Sequence, residues 1–165
     1  MSPVPRVWRL GENIDTDVLA PGVYMKLGID GIAPHCLESV RPDFAAGVRS
    51  GDVIAAGPNF GIGSSREQAA AALVHLGVAA VIAPSFSGLY FRNAFNVGLL
   101  LLTCAQAHEL LDGETVRLDL QALAVERADG GRLVCEPVPD FLLDMVRAGG
   151  LVNVLRARAR QGEPA

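Results

Sequence analysis

Three runs of consecutive apolar residues organise the middle of the chain: Val53 to Ala56 behind Asp52, Val78 to Ala83, and Leu99 to Leu102 before Thr103. Strands apolar on both faces belong to a parallel sheet covered on each side. Between the first two runs, Ser65 to Leu76 is alanine-rich and stops at Gly77, which predicts a helix. Between the second and third, past Pro84, Phe86 to Asn96 predicts another helix, stopped by Gly98. Strand–helix–strand–helix–strand of this kind predicts a parallel βαβαβ core with right-handed crossovers. Such sheets bind ligands beyond the carboxyl ends of their strands, where Asn59 to Arg66 falls.

The flanks differ in period. Arg6 to Leu10 alternates like a short strand and ends at Gly11-Glu12-Asn13. Ile14 to Leu19 is too acidic for a core strand but suits a strand end that carries carboxylates. Asp15 and Asp17 would then share one face, and a solvated turn rich in Asn and Asp is the competing reading. Pro21-Gly22 signals a turn. Val23 to Pro42 holds no sustained period, which predicts a surface loop and then a short helix near Pro34 to Val40; so long a loop is uncommon unless it is functional. From Glu114 the chain alternates through Thr115–Leu120, Ala122–Glu126 and Arg132–Cys135, a β-meander with one solvated face. Pro139 precedes an amphipathic helix, Phe141 to Arg147, ended by Gly149-Gly150, and a second short helix runs from Leu151 to Arg158. With no repeat and no linker, residues 1–165 are expected to form one α/β domain whose tail frays from about Gln161.

Composition narrows the function classes. Half the residues are hydrophobic and 19% are charged, as in a folded globular chain. A formal net charge of −4 without a basic stripe argues against nucleic acid. The first residues lack the layout of a signal peptide, and the most apolar stretch, Ala69 to Phe86, is broken by His75, Gly77 and Pro84, so no membrane span is expected. Cys36, Cys104 and Cys135 are scattered and form no CxxC pair, which predicts free thiols in a reducing cytoplasm and no metal cluster on this chain. His35, His75 and His108 show no ligand spacing.

The chemistry concentrates in Gly61-Ile62-Gly63-Ser64-Ser65-Arg66-Glu67-Gln68. Glycines permit a tight turn close to a ligand. Two hydroxyls and a guanidinium then arrive at an expected helix N-terminus, where free N–H groups attract anions. Arg66 adds a bidentate grip on a carboxylate or phosphate. Ser64 with Glu67 also has capping-box spacing, and Ser65 with Gln68 offers a second register. Arg66 in a first turn opposes the helix dipole, which favours an anion there. No lysine follows Gly63, so the loop is not a Walker A motif, nor is it GxGxxG. Arg92-Asn93 on the second helix reads as surface.

Several segments together resemble the small subunit of 3-isopropylmalate dehydratase, the detached swivelling domain of the aconitase superfamily, in its short archaeal-type branch. They are Asn13-Ile14-Asp15-Thr16-Asp17, Pro21 to Met25, His35-Cys36-Leu37-Glu38, Gly57 to Glu67, Ser85-Phe86, Phe91 to Leu99 and Arg147 to Leu151. The likeness runs from about Val7 to Leu155. It implies a swivelling three-layer β/β/α fold, no cofactor bound by this chain, and a [4Fe–4S] cluster in a partner large subunit. It also implies a 2-hydroxy dicarboxylate substrate. Mapped by motif, Ser64 is the expected base; Gly63, Ser65 and Arg66 are expected to bind the substrate; Asp17 is the acidic residue at the rim, set to orient histidines or arginines of the large subunit.

In that family the loop after the DTD motif selects the substrate, here Tyr24-Met25-Lys26-Leu27-Gly28. Aconitases carry an arginine near its end for a third carboxylate. Leu27 and Gly28 in that place favour an apolar substituent such as isopropyl or methyl, while Lys26 can still reach toward a third carboxylate. The chain departs from the family at Gln68, where histidine is usual, and at Gly88, where arginine is usual. Hydratases of dimethylmalate, methylmalate or homoaconitate are therefore alternatives to isopropylmalate dehydratase. A non-catalytic module that binds an anionic metabolite is the alternative from another class.

Overall fold

The computed structural model describes residues 4–162. The three apolar runs form adjacent parallel strands, β2 (Val53–Ala55), β3 (Ala80–Ala83) and β4 (Leu100–Thr103), in register Ile54↔Val81 and Val81↔Leu101. Every residue of β2 and β3 is buried, because helices and loops cover both faces of the sheet. The alternating segment near the start becomes β1 (Val7–Arg9), which pairs in parallel with β2 and extends the core to four strands in the order β1-β2-β3-β4.

Seven α-helices lie among the described residues. Three are single turns between β1 and β2: α1 (Thr16–Leu19), α2 (Gly28–Ile32) and α3 (Phe44–Gly47). The crossover helices are α4 (Gln68–His75) and α5 (Gly88–Asn96). After β4 come the antiparallel strands β5 (Val116–Asp119), β6 (Ala124–Arg127) and β7 (Arg132–Val134), then α6 (Asp140–Ala148) and α7 (Leu151–Arg160). The parallel core, the meander and the closing helices thus match expectation. The expected fraying falls, from residue 163 on, outside the described residues.

Three local expectations fail for identifiable reasons. Asp15 and Asp17 do not share a strand face: Asp15 Oδ1 accepts the Asp17 N–H at 2.6 Å and caps α1, so Asp17 is helical. Val23 to Pro42 is no open loop. It is a chain of 3-10 and α turns, Gly22–Leu27, Gly28–Ile32 and Ala33–His35, that buries Ile32, Ala33, Cys36 and Leu37. Successive short turns bury one or two residues each, so no single period runs through them. The helix expected near Pro34 to Val40 contracts to the Ala33–His35 turn. Third, α4 starts at Gln68, three residues later than the alanine pattern suggests.

One buried carboxylate locks the edge of the sheet. Asp52, only 2% exposed, accepts the Trp8 Nε1–H at 3.0 Å, the Arg6 and Arg49 backbone N–H groups at 3.0 and 2.9 Å, and Arg6 Nη2 at 3.2 Å. Burial acts to raise its pKa, but the Trp8, Arg49 and Arg6 donors outweigh it and hold the carboxyl below the usual range. A depressed folded pKa stabilises the fold above the unfolded carboxylate pKa and loses that stability as pH falls through the folded one. Asp52→Ala is expected to lower the unfolding free energy by about 3 kcal/mol at neutral pH, read from the urea midpoint. The difference from wild type should shrink as the wild type is acidified below the ordinary carboxylate range.

Candidate active site

β2 delivers the chain into a loop stitched to both neighbours. The Asn59 N–H reaches Ser85 Oγ at 2.9 Å, and the Asn59 amide donates to Asn13 Oδ1 at 3.0 Å. Phe60 forms a single parallel bridge to Phe86, with the Ser87 N–H on the Phe60 carbonyl at 2.9 Å. On the other side the Gly61 N–H donates to Ile14 O at 2.7 Å, and the Thr16 N–H to Ile62 O at 2.8 Å. The two glycines are required here. Gly61 (φ 83°) passes so close to Tyr90 that a Cβ would lie 2.2 Å from the ring's Cγ. Gly63 (φ 109°) would place a Cβ 2.9 Å from Thr16 Oγ1.

Past Gly63 the chain presents Ser64, Ser65 and Arg66 at the carboxyl end of the sheet, the end at which the apolar runs predict a ligand. The Arg66 guanidinium turns inward. Its Nε donates to Ser64 Oγ at 3.0 Å, and its Nη1 donates to Asp17 Oδ1 at 2.8 Å and to Ala20 O at 2.9 Å. Nη2 has no acceptor among the described residues. Thr16 Oγ1 lies 3.4 Å from Ser64 Oγ. From α5, Asn93 Nδ2 donates to Ser65 O at 3.0 Å and holds the loop from the opposite side.

These bonds displace the capping box. Glu67 is the N-cap of α4 and makes no side-chain cap bond. Ser64 instead meets Arg66 and Thr16, while Arg66 lies ahead of the helix and finds its counter-charge in Asp17. In consequence the backbone N–H groups from Gly63 to Gln68 donate to no acceptor among the described residues, and residues 63–65 are exposed. Consecutive free N–H groups with an arginine beside them make an anion cradle. The donor on Ser64 Oγ is charged and favours the ionised form of that oxygen.

Asp17 is two-thirds exposed and its Oδ1 also accepts the Gly22 N–H at 2.9 Å. That bond first, and the Arg66 bond second, hold its carboxyl below the usual range. Asp17 therefore stays charged and keeps the guanidinium in place at neutral pH. Its partner here is an arginine of the same chain. The turn expected to select the substrate starts beside this pair. Tyr24 stacks on His35 with ring centroids 3.6 Å apart, and His35 Nδ1 lies 2.7 Å from Glu38 Oε2. Met25 packs on the core, while Lys26 and Leu27 are exposed.

Sequence reasoning passed over Thr16, Ala20 and Asn93. Asn93 had a signal in the spacing Arg92-Asn93 to Asn96, though a lone pair on a helix reads as surface; Thr16 had only its place between two aspartates. Among the described residues the side chains do not fit an iron–sulfur cluster. No group of three or more His, Cys, Asp or Glu residues converges among the described residues. The cysteines are buried, and burial pushes the Cys36 and Cys135 thiols up to about 12, away from the thiolate that iron needs.

Known proteins are similar to this chain over most of its length. The Aconitase C-terminal domain family matches residues 48–107, which span β2 to the end of β4 and include the loop. A methanogen homoaconitase small subunit of Methanothermobacter thermautotrophicus is 45% identical over 90% of this chain and 87% of its own. The 3-isopropylmalate dehydratase small subunit 1 of Archaeoglobus fulgidus is 41% identical over 93% of this chain and 99% of its own. The crystal structure of 3-isopropylmalate dehydratase (leuD) from Methanocaldococcus jannaschii superposes with a TM-score of 0.90 at 38% identity, covering 96% of this chain and 95% of that one. The chain belongs to the 3-isopropylmalate dehydratase small-subunit family of the aconitase superfamily, whose members are hydro-lyase subunits.

Proposed function

We propose that this chain is the small subunit of a hydro-lyase that interconverts 2- and 3-isopropylmalate in the cytoplasm, with Ser64 as the base. The observation that carries this reading is the charged donor on the nucleophilic hydroxyl, Arg66 Nε to Ser64 Oγ at 3.0 Å, beside a run of free N–H groups. A serine hydroxyl is far too weakly acidic to serve unaided, so the arginine and the loop N–H groups must stabilise its oxyanion. Ser64 Oγ then takes the proton from the carbon beside the hydroxyl-bearing one. Ser65, the Gly63 backbone and the second terminal nitrogen of Arg66 hold a carboxylate, and Asp17 positions the guanidinium. A [4Fe–4S] cluster in the large subunit supplies the Lewis acid for the leaving hydroxyl.

The turn supports an apolar substituent. Leu27 presents an exposed side chain at the end of the Gly22–Leu27 turn, whose first residue lies beside the Asp17–Arg66 pair, and Gly28 offers no side chain to a third carboxylate. Homoaconitate is the second reading, favoured by the 45% identity to the methanogen homoaconitase small subunit and by the exposed Lys26 on the same turn.

Reconstitution with a cluster-bearing large subunit under anaerobic conditions tests the whole reading, by the ultraviolet absorbance of the unsaturated dicarboxylate. Binding of the diacid without turnover would assign the chain to a metabolite-binding module instead. Ser64→Ala is expected to lower kcat by roughly 10²–10⁴-fold with little change in KM; unchanged kcat removes Ser64 from the role of base. Arg66→Lys loses the fork that joins Ser64, Asp17 and Ala20, and should lower kcat/KM by at least about 10-fold. Asp17→Asn should cost less, about 10-fold at most, because Ala20 O still holds the guanidinium. Isopropylmalate should exceed homoaconitate in kcat/KM by about 10–100-fold, and the opposite order selects the homoaconitase reading.

A further inference from the structure

Thr16 is buried, at 2% exposure, and its side chain has a single hydrogen-bonding neighbour among the described residues: Ser64 Oγ, at 3.4 Å. A buried hydroxyl without a partner is costly. Its backbone is fixed to the same loop by the Thr16 N–H on Ile62 O at 2.8 Å. The loop passes so closely over it that a Cβ on Gly63 would lie 2.9 Å from Thr16 Oγ1. Arg66 Nε also donates to Ser64 Oγ, at 3.0 Å. Either oxygen of this pair can donate while both hydroxyls are neutral; once Ser64 Oγ is ionised, as a base requires, the Thr16 hydroxyl is the donor.

We propose that Thr16 is a positioning residue for the reaction: its buried hydroxyl donates the second hydrogen bond to the Ser64 oxygen. Together with Arg66 it fixes the direction of the remaining lone pair and supports the oxyanion. The inference rests on the reading of Ser64 as the base. At 3.4 Å the contact is longer than a settled hydroxyl pair, and catalytic hydrogen bonds of this type shorten in the substrate complex. A β-branched residue suits the task, since its χ1 is stiff and the hydroxyl is aimed by the backbone.

The test compares Thr16→Val, Thr16→Ala and Thr16→Ser in the reconstituted enzyme, with thermal melts of each chain alongside. Valine keeps the branched shape without the hydroxyl, alanine removes the hydroxyl without filling the space, and serine keeps the hydroxyl. Thr16→Val and Thr16→Ala should lower kcat by about 10-fold with KM little changed, and Thr16→Ser should recover most of the loss. In a Ser64→Ala background the Thr16→Val change should cost no further kcat, because the group it serves is already gone. An unchanged kcat in Thr16→Ala overturns the proposal, as does an equal loss in the Ser64→Ala background, which marks a purely structural role. These failures are separate from failure of the base assignment, which would show as full activity in Ser64→Ala alone.

Discussion

The site depends on one guanidinium held in register between two segments that meet only because β1 and β2 are parallel neighbours. Arg66 reaches Ser64 within its own loop and Asp17 and Ala20 across the gap. An ion pair as exposed as Arg66–Asp17 contributes about 0–1 kcal/mol by itself, so its importance is geometric. The geometry comes from the backbone. The bonds from Gly61 to Ile14 and from Thr16 to Ile62 fix how far each segment has advanced past its strand. A slip of one residue would carry the Arg66 side chain away from Asp17 and the Ser64 hydroxyl away from Thr16. The buried Asp52, which ties Arg6 and Trp8 to the start of β2, sets that register at the opposite end of the same strands.

Local and global charge point in opposite directions here. The chain carries a formal net charge of −4, yet the loop gathers a positive arginine and a run of N–H dipoles that meet no acceptor among the described residues. Asp17 does not cancel that field. Its charge is shared between Arg66 and the Gly22 N–H, which together hold its carboxyl low, while one terminal nitrogen of Arg66 faces no acceptor among the described residues. That nitrogen and the loop N–H groups therefore remain available as donors to an anion. An overall negative charge says nothing against an anionic ligand once the local donors are counted.

The parallel strands and the meander were legible because each is set by burial, and burial writes its period directly into neighbouring residues. The glycine loop was legible for a similar reason: Gly61 and Gly63 sit where Tyr90 and Thr16 leave no room for a side chain. What stayed hidden depends on partners distant in sequence. Ser64 and Glu67 have the spacing of a capping box, but Ser64 meets Arg66 and a threonine 48 positions away. Asn93 finds its acceptor 28 positions away, on Ser65. The turns from Gly22 to His35 were unreadable because three short turns follow one another, with no run long enough to show a period.

The same geometry explains why such a chain acts as a subunit. Ser64 and Ser65 are exposed, as are Lys26 and Leu27, and hollows of about 160–290 Å³ elsewhere in the surface are lined by other residues. On an open face, a carboxylate about 4 Å from a guanidinium gains only about 1 kcal/mol in bulk water, against about 4 kcal/mol once the surroundings exclude solvent in part. An alkoxide facing bulk water would be protonated before it met a carbon acid. The loop is thus preorganised in its donors and exposed on the surface of this chain. Within the proposed reaction, the second protein surface that brings the cluster is also the one that makes Arg66 and the loop N–H groups strong enough to sustain a serine base.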